Sequence, residues 1–423
     1  MVGLSFYDAL ETRTAAKREA DLMVALPSQV ANAQSNSSAF ASILKGIDAS
    51  QVNTRKALAV LPVTRKHELL EQQAAARAAN PNQTNVFGGF NTQPFGAGMP
   101  RVFASPGPIY EPEGKARDYW RMARSIYAAG FRSGELIHNC FSYHFVPAGS
   151  MMESGAHAVG CTVFPGGTGQ TEQQVQAIQH LQPSGYIGTP SFLKIIVEKA
   201  EELHQSLPKS FSKAMLGGEA FPPSLRDWLL ARGITGYQCY ATADLGLIAY
   251  ETEAREGLVL DEGVILEIVR PGTGDPVSEG EVGEVVVTSL NPDYPLIRFG
   301  TGDLSAVLVG NCPTGRTNTR IKGWMGRADQ TTKMRGMFVH PGQVDSVAKR
   351  FSEIKRARLI VSGEMANDQM LLKVEVAEPQ NGLAERIGIT VREVTKLRAD
   401  VELCAIGSLP NDGKVIEDAR SYK

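Results

Sequence analysis

Short apolar segments alternate with segments of helical periodicity over residues 115–232, and this alternation restricts the fold more than any other feature of the sequence. The predicted helices lie at residues 115–130, 150–160, 172–181, 192–204 and 222–232, and the predicted strands at residues 136–141, 161–164, 186–189 and 213–216. Strands separated by helices imply right-handed crossovers, so we predict a mainly parallel sheet with helices on both faces. Ligands of such sheets bind at the carboxyl ends of the strands.

The regions on either side have different patterns. Helical spacing predicts helices at residues 8–33 and 66–79, and the Asn-, Gln-, Gly- and Pro-rich residues 80–98 predict a loop. From Tyr237 onward the predicted strands are closely spaced, at residues 248–251, 264–269, 284–289, 296–299 and 306–309. Close spacing predicts antiparallel or barrel-like β structure.

The C-terminal region predicts a small α+β unit, with helices at residues 342–351 and 384–397 and strands at residues 357–361, 370–376 and 401–405. Roughly a hundred residues suffice for a separate domain. We therefore predict an α/β protein in which a large N-terminal α/β domain, residues 1–328, combines a mainly parallel sheet with a barrel-like portion. A small α+β C-terminal domain, residues 329–423, completes the chain.

Composition excludes several classes of partner. The 423 residues include 43 Lys and Arg against 45 Asp and Glu, which gives a net charge of −2 at pH 7. This balance lacks the positive charge that attracts nucleic acid or an anionic membrane. The sequence shows neither a secretory leader nor an apolar run of membrane-spanning length, which predicts a cytoplasmic location. Small molecules are the expected partners, and a homodimer stays open.

The stretch Tyr-Pro-Leu-Ile-Arg-Phe-Gly-Thr-Gly-Asp-Leu at residues 294–304 predicts a ligand site. An apolar strand ending in Gly300 and Gly302 would leave Asp303 on a turn, where glycine permits close approach of a ligand. A carboxylate there could accept hydrogen bonds from two hydroxyls, as on a ribose. The alternative is a hairpin in which Asp303 only caps a turn.

Five stretches occur in an order that is typical of one enzyme family. They are Gly-Gly-Glu-Ala-Phe-Pro at 217–222, Tyr-Ala-Thr-Ala-Asp at 240–244, Arg-Phe-Gly-Thr-Gly-Asp-Leu at 298–304, Gly-Arg-Ala-Asp at 326–329 followed by Arg-Gly at 335–336, and Gly-Lys at 413–414. With this set the chain resembles the AMP-forming acyl-CoA synthetases, and within them the phenylacetate-CoA ligase branch. Each stretch alone is a weak signal, whereas the ordered set is a strong one.

The resemblance implies a two-step reaction. A carboxylate attacks the α-phosphate of ATP to form an acyl-adenylate and pyrophosphate, and CoA then takes the acyl group. Because two anions meet in the first step, a cation must neutralise the developing charge, and the family's tail lysine corresponds to Lys414. The alternative for Lys414 is an ordinary exposed lysine.

The resemblance also implies a nucleotide site. Tyr240 would stack on adenine, with a core tyrosine as the alternative. Asp303 and Arg327 would hold the ribose, and Asp244 would bind Mg²⁺ where the family has glutamate. The other residues assigned to the nucleotide are Ser105, Gly107, Gly218, Glu219, Ala220, Gln238, Cys239, Ala241, Thr242 and Arg335.

In the family, the small C-terminal domain rotates about a hinge between the two steps, which withdraws the lysine and admits CoA. Asp329 corresponds to the hinge position, with a turn cap as the alternative. ATP, Mg²⁺ and CoA are the ligands that the resemblance implies.

The chain departs from the family at the phosphate loop, which is rich in Ser, Thr and Gly and ends in Gly-Lys-Pro. Here residues 103–112 read Phe-Ala-Ser-Pro-Gly-Pro-Ile-Tyr-Glu-Pro, without a lysine. Pro106 and Pro108 have no N–H for a phosphate, and Glu111 adds negative charge. Ser105 and Gly107 remain as candidate phosphate contacts. A catalytically impaired relative is therefore one alternative.

The cysteines predict no metal site. Cys140, Cys161, Cys239, Cys312 and Cys404 lack the Cys-x-x-Cys spacing of zinc sites. Where the branch often has a Cys-x-Cys-Gly-Arg run, this chain has Cys-Pro-Thr-Gly-Arg at residues 312–316. One ligand of a zinc site is thus replaced, and we expect no zinc.

The acyl pocket of the branch includes a Tyr-Gly-Tyr-Gly-type stretch, which corresponds to Phe141, Ser142, Tyr143 and His144, with Gly217 nearby. His144 replaces a glycine that makes room for an aromatic ring, so we expect a small or hydroxylated acid. A buried hydroxyl on such an acid would need a partner. A structural histidine is the alternative for His144.

The sequence therefore predicts an AMP-forming ligase that joins a small carboxylic acid to CoA, and a hydroxylated, a branched and an aromatic acid all stay open. Two other functions stay open: a nucleotide-binding homologue without activity, and an adenylating enzyme that loads a carrier protein. The chain has no carrier domain, which favours free CoA as the acceptor.

Overall fold

The computed structural model describes residues 6–81, 85–328, 330, 332–334, 337–339, 341–363, 367–410 and 414–420. The chain folds into two compact units, Met1–Gly326 and Arg327–Lys423. The sequence predicted a boundary between residues 328 and 329.

The helices of the first unit lie before and between its first seven strands and directly before the eighth. Its helices are α1 (Ala15–Asn36), α2 (Ser38–Ile43), α3 (Arg55–Ala59), α4 (Lys66–Ala79), α5 (Ala123–Ala128), α6 (Ala148–Val159), α7 (Thr171–Leu181), α8 (Pro190–Glu202) and α9 (Pro223–Leu230), with short 3-10 helices at Ala9–Thr12 and Ala49–Gln51. Its strands are β1 (Thr64–Arg65), β2 (Arg101–Ser105), β3 (Ile109–Glu113), β4 (Leu136–Asn139), β5 (Thr162–Pro165), β6 (Gly185–Gly188), β7 (Lys213–Leu216), β8 (Thr235–Thr242), β9 (Gly246–Glu251), β10 (Leu258–Leu260), β11 (Val264–Val269), β12 (Gly283–Ser289), β13 (Phe299–Ser305), β14 (Val307–Leu308) and β15 (Arg320–Ile321).

The largest sheet of the described residues has nine strands in the order β14-β15-β10-β9-β8-β7-β6-β4-β5. The strands from β5 to β8 pair in parallel, and the pairs from β8 to β14 are antiparallel. The predicted α/β class is therefore confirmed, and the parallel part coincides with the alternating segments of the sequence. Because β4, β7 and β8 are parallel, the residues that follow them meet at one edge of the sheet.

A second sheet of the first unit has the order β1-β13-β12-β11. The pairs β11–β12 and β12–β13 are antiparallel, whereas β1 pairs with β13 in parallel, Thr64 opposite Phe299. Val285, Val287 and Phe299 are each at most 1% exposed and pack in the same apolar core as α1 and α2. Burial of such side chains contributes about 1.5–3 kcal/mol each.

The position of Asp303 differs from the prediction. The predicted strand at residues 296–299 ended before Asp303, whereas β13 begins at Phe299 and includes Asp303. Gly302 has a φ of +72°, a conformation that glycine adopts readily, and the β12–β13 register shifts between Glu284 and Val286. An irregularity of this kind re-aims side chains within a strand. Asp303 is therefore a strand residue and not a turn cap.

The helix predicted at residues 115–130 is also shorter in the structure, where α5 covers Ala123–Ala128. Asp118 and Arg121 have φ values of 56° and 62°, which a helix does not allow. The Asp118 carboxylate instead accepts hydrogen bonds from the N–H groups of Met122 and Ala123, at 2.7 and 2.9 Å. The chain turns at Asp118, and the carboxylate caps the start of the helix.

The second unit is an α+β unit. Its elements are β16 (Thr332–Met334), β17 (Met337–Val339), α10 (Pro341–Ala348), β18 (Ile354–Ser362), β19 (Gln369–Val376), α11 (Leu383–Thr395), β20 (Asp400–Cys404) and β21 (Ile416–Asp418). The order β20-β19-β18-β21 forms its main sheet. Val344 of α10, Leu372 of β19 and Ile387 of α11 share one buried core. Among the described residues of the chain, no helix has the length and apolar character needed to cross a membrane.

Candidate functional site

Tyr240 and Asp303 meet although they lie on different sheets. The Tyr240 hydroxyl donates a hydrogen bond to Asp303 Oδ2 at 2.8 Å and contacts Thr301 Oγ1 at 3.3 Å. Trp324 Nε1 donates to the other carboxylate oxygen, Asp303 Oδ1, at 3.1 Å. These bonds fix the plane of a carboxylate that is 8% exposed. An ionised carboxylate only accepts hydrogen bonds, so it suits a ligand that brings hydroxyls.

The strand β8 holds the other predicted nucleotide residues of this region. Gln238 donates its backbone N–H to Glu251 at 3.0 Å, Cys239 is buried, and Ala241 is half-buried. Thr242 Oγ1 accepts the N–H of Leu245 at 3.1 Å, which closes the β8–β9 turn. Residues 238–242 therefore lie on the same strand as Tyr240. The Thr242 hydroxyl stabilises the turn that follows.

Residues 217–220 follow β7 at the same edge of the sheet. Gly217 is buried, Gly218 and Glu219 are exposed, and Ala220 is half-buried. Glu219 accepts hydrogen bonds from the hydroxyl and the N–H of Ser191, at 2.5 and 3.4 Å, in the first turn of α8. A carboxylate is favourable at the N-terminus of a helix. Glu219 thus links the turn after β7 to α8.

The predicted acyl pocket is tightly packed near Gly217. A Cβ added at Gly217 would lie 2.8 Å from Cys239 Sγ and 3.7 Å from Phe141 Cζ. Phe141 is 7% exposed, and Cys239, which the sequence assigned to the nucleotide, therefore also borders Gly217. Any side chain here would force Cys239 to move, so the packing at this position requires a glycine.

Tyr143 is held by a polar network that the sequence did not predict. Its hydroxyl accepts a hydrogen bond from Asn139 Nδ2 and donates to Glu153 Oε2, each at 2.8 Å. Burial raises the pKa of Tyr143, with Glu153 adding to the effect, so the phenol stays protonated and can donate. Asn139 ends β4, and the network fixes Tyr143 against α6.

His144 lies differently from the expectation. Its residue is exposed, and its backbone N–H donates to Ser142 Oγ at 3.1 Å. Ser142 Oγ in turn donates to the His144 carbonyl at 3.2 Å, and these bonds form a local turn. The imidazole therefore does not fill the space of an aromatic ring in this structure, because the turn directs it to the surface.

The stretch predicted as a phosphate loop is a β-hairpin formed by β2 and β3. Glu111 is fully buried, and it accepts hydrogen bonds from the Ser105 hydroxyl at 2.5 Å and from the Ser105 N–H at 3.2 Å. Both polar hydrogens of Ser105 thus point to Glu111 across the hairpin, which contradicts the expectation that Ser105 faces a phosphate. Gly107 lies in the turn, where an added Cβ would be 3.1 Å from Leu70 Cδ1.

Asp244 contacts a lysine that the sequence did not assign to the site. Lys66 Nζ lies 2.7 Å from Asp244 Oδ2, and the Asp244 side chain is 1% exposed. The other oxygen, Asp244 Oδ1, is buried and has no hydrogen-bond partner among the described residues. Burial and the nearby Asp244 charge raise the pKa of Glu111 to about 8, and the Lys66 charge opposes them. Lys66, Asp244, Glu111 and Ser105 therefore form one cluster.

Comparison with known proteins identifies the family. The AMP-binding enzyme family matches residues 116–291. A phenylacetate-coenzyme A ligase of Pseudomonas putida is 31% identical over 314 residues, which cover 69% of this chain and 70% of that protein. This chain belongs to the phenylacetate-CoA ligase-like branch of the AMP-forming CoA ligases. The predicted family and enzyme class are confirmed.

Two further similar proteins support the same family assignment. The phenylacetate-coenzyme A ligase of Thermus thermophilus is 33% identical over 67% of the chain, and the match spans 65% of that protein. A solved 2-hydroxyisobutyryl-CoA ligase, in complex with 2-HIB-AMP and CoA, superposes with a TM-score of 0.81 at 25% identity. That superposition covers 97% of this chain and 92% of the solved chain.

In the second unit of the ligase, Lys414 is exposed and lies two residues before the first residue of β21. The following N–H, that of Val415, donates to Gln330 Oε1 at 2.7 Å, and Leu359 donates its N–H to the Val415 carbonyl at 2.9 Å. These contacts anchor the chain next to Lys414. Arg327 begins the unit and is half-buried. The predicted hinge residue Asp329 and the predicted nucleotide residue Arg335 lie outside the described residues.

The described residues do not fit the protein-bound Mg²⁺ that Asp244 was expected to hold. Mg²⁺ is bound through one or two carboxylates together with phosphates. Asp244 already has the Lys66 ammonium 2.7 Å from one oxygen, and a second cation there would be repelled. Within the described ranges no group of three or more His, Cys, Asp or Glu side chains could hold a metal ion. Cys312 is the cysteine that remains of the zinc-binding run considered in the sequence, and it is buried with its sulfur 3.1 Å from Thr314 Oγ1.

Sequence reasoning missed Lys66, Glu111 as a hydrogen-bond acceptor, Trp324, and the two residues that bond the Tyr143 hydroxyl, Asn139 and Glu153. One signal for Lys66 was present in the sequence. The helix at residues 66–79 was predicted to begin with this lysine, and a cation in the first turn is opposed by the helix dipole. A lysine at that position therefore needs a carboxylate nearby, and Asp244 provides it.

Proposed function

We propose that this ligase activates a small branched or hydroxylated carboxylic acid. The acid carboxylate attacks the α-phosphorus of MgATP, the bond to the β-phosphate oxygen breaks, and pyrophosphate leaves. The sulfur of CoA then attacks the acyl carbonyl, its thiol proton passes to solvent, and AMP leaves. The products are the acyl-CoA thioester, AMP and pyrophosphate.

The observation that carries this proposal is the hydrogen bond between Tyr240 and Asp303, at 2.8 Å. It joins two stretches that are 63 positions apart and that were each assigned to the nucleotide for separate reasons. The bond presents a half-buried aromatic ring beside an oriented carboxylate, which is an arrangement that suits a base and a ribose together.

Lys414 supplies the positive charge for the first step in this proposal. Its ammonium is a compact charge on a flexible stem, and it would stabilise the negative charge that accumulates as the carboxylate meets the α-phosphate. Arg327 and Asp303 would hold the ribose. Rotation of the small domain about a hinge at Asp329 would switch the enzyme from the first half-reaction to the second. Gly218, Ala220 and the backbone of β8 would line the base.

The acyl group is proposed to be small for two reasons. First, the space at Gly217 is limited, because Cys239 Sγ is 2.8 Å from a Cβ position there. Second, a solved 2-hydroxyisobutyryl-CoA ligase superposes on 97% of the chain with a TM-score of 0.81. Ser142 and Tyr143 lie after β4. Their hydroxyls already donate to the His144 carbonyl and to Glu153, so they would accept a hydrogen bond from a polar substituent. An aryl acetate would need more room.

The proposal is tested with a panel of acids. The protein is incubated with ATP, Mg²⁺ and CoA, and release of pyrophosphate and AMP is measured for 2-hydroxyisobutyrate, isobutyrate, benzoate and phenylacetate. We expect kcat/KM for a short branched or hydroxylated acid to exceed that for phenylacetate by about tenfold or more, since a poorly fitting group costs at least that much.

Three results would point elsewhere. Phenylacetate as the clear best substrate would contradict the small pocket. Pyrophosphate exchange without CoA-dependent AMP release would favour loading of a carrier protein. Nucleotide binding with no turnover of any acid would favour an impaired homologue.

A further inference from the structure

The cluster of Lys66, Asp244, Glu111 and Ser105 lies at the junction of three parts of the first unit. Lys66 is the first residue of α4 and follows β1, which pairs in parallel with β13, Arg65 opposite Gly300. The strand β13 carries Asp303. The chain therefore places Lys66 one residue beyond the strand that lies beside the proposed ribose site.

A second contact ties Lys66 to the other nucleotide strand. Its ammonium is 2.7 Å from Asp244, which lies two residues after the end of β8, the strand of Tyr240. The Asp244 side chain is 1% exposed and the Lys66 side chain 31% exposed. The buried carboxylate thus holds the ammonium, while the Lys66 side chain stays partly exposed.

A third contact ties α4 to the hairpin of β2 and β3. Gln73 Nε2 donates to the Tyr110 carbonyl at 2.9 Å, and the Tyr110 N–H donates to Gln73 Oε1 at 2.8 Å. This two-way bond fixes the distance between α4 and Glu111. Since Ser105 directs both polar hydrogens to Glu111, the hairpin turns its donors inward. The positive charge at this junction comes from α4 and not from the hairpin.

We propose that Lys66, held by Asp244, is the cation that contacts the β- and γ-phosphates of ATP, in place of the missing loop lysine and of a metal ion bound by Asp244. The Asp244–Lys66 contact explains why a carboxylate stays buried where the family uses a metal ligand. The other oxygen, Asp244 Oδ1, is buried and has no hydrogen-bond partner among the described residues, so Lys66 is the cation that the structure places against this carboxylate. This inference rests on the proposed function, because it assumes that ATP binds beside Tyr240 and Asp303.

The test compares ATP with AMP, because AMP lacks the β- and γ-phosphates. Dissociation constants for both nucleotides are measured by calorimetry in EDTA, so that no metal contributes. The variant is Lys66→Met with Asp244→Asn, which removes the charge pair together and leaves no buried carboxylate without its cation. The matched control is Lys56→Met, an exposed lysine of α3.

We expect wild-type protein and the Lys56→Met control to bind ATP more tightly than AMP. The double variant should lose about 10- to 100-fold in ATP affinity, the range expected for a hydrogen bond to a charged group, and should keep its AMP affinity. Lys66→Arg should retain part of the preference for ATP, since the positive charge remains.

Two outcomes would overturn the proposal. If the double variant keeps the wild-type preference for ATP, the pair is structural only. If wild-type protein shows no preference for ATP over AMP in EDTA, no protein cation contacts the outer phosphates. Neither outcome depends on turnover of an acid, so failure of the proposed substrate class would be seen separately, in the acid panel.

Discussion

Tyr240 of the nine-stranded sheet donates a hydrogen bond to Asp303 of the four-stranded sheet, with 2.8 Å between the two oxygens. The two sheets are therefore coupled at the point where the nucleotide is proposed to bind. The Asp303 carboxylate accepts the hydrogen bond that orients the Tyr240 ring. A ligand that binds Asp303 therefore contacts the same carboxylate.

Removal of the Tyr240 hydroxyl should weaken AMP binding. In Tyr240→Phe the ring remains but Asp303 loses a donor, so we expect affinity for AMP to fall about fivefold, corresponding to about 1 kcal/mol for one hydrogen bond. The measurement is a calorimetric dissociation constant for AMP. Tyr237→Phe, on the same strand, is the control, and equal AMP affinity in Tyr240→Phe and wild type would show that the bond does not position the site.

Replacement of Lys414 should separate chemistry from binding. We expect Lys414→Ala to lose pyrophosphate release by about a hundredfold or more while AMP affinity is unchanged, because the charge acts on the transition state. Pyrophosphate release is followed with the best acid of the panel. Lys355→Ala, which removes another exposed lysine of the second unit, is the control. Normal pyrophosphate release by Lys414→Ala would place the catalytic cation elsewhere.

Ionisation of Glu111 should make stability depend on pH. Burial and Asp244 raise its pKa in the folded protein from 4.5 to about 8, so the proton it holds stabilises the fold below its unfolded pKa, and this contribution is lost as pH rises towards 8. The groups that face it are Asp244, Lys66, Ser105 and the buried Tyr294.

The variant Glu111→Gln removes this ionisation. We therefore expect the free energy of unfolding of wild type to fall more steeply than that of Glu111→Gln between the unfolded pKa of 4.5 and the folded pKa of about 8, as measured by urea denaturation at a series of pH values. Parallel pH profiles for the two proteins would mean that Glu111 is ionised throughout.

Arg298, although part of the motif assigned to the ribose, should matter for stability. It is 2% exposed, pairs with Glu267 at 2.9 Å, and donates to the carbonyls of Ala59, Leu61 and Gly274. In Arg298→Met the buried Glu267 loses its cation, which costs about 3–5 kcal/mol. Urea denaturation measures the loss in free energy of unfolding. Arg270→Met, at an exposed arginine, is the control. A loss below about 1 kcal/mol for Arg298→Met, roughly the effect of a surface substitution, would contradict the prediction.

The sequence predicted the architecture of the parallel sheet because each strand there is a short apolar run with a helix after it. The helix Lys66–Ala79 and the strand Lys213–Leu216 were predicted to the residue. The short α5 was missed because Asp118 and Arg121 adopt left-handed conformations within an otherwise helical composition.

The candidate site was less accessible to sequence reasoning. Lys66 and Asp244 are 178 positions apart, and no local pattern indicates that they pair. Ser105 was expected to face a phosphate from its family position, but a buried acceptor across the hairpin takes its hydrogens. Contacts of this kind depend on which distant segments fold together, whereas the family motifs only fix residue types.

The short strand β1 has a practical consequence. An expression fragment begun at α5 would retain Tyr240 and Asp303 but would remove the edge partner of β13 and the helix that carries Lys66 and Gln73. Unpaired backbone groups along β13 would then face water or a neighbouring molecule. Such a fragment would be prone to self-association, and its nucleotide affinity would say little about the intact enzyme.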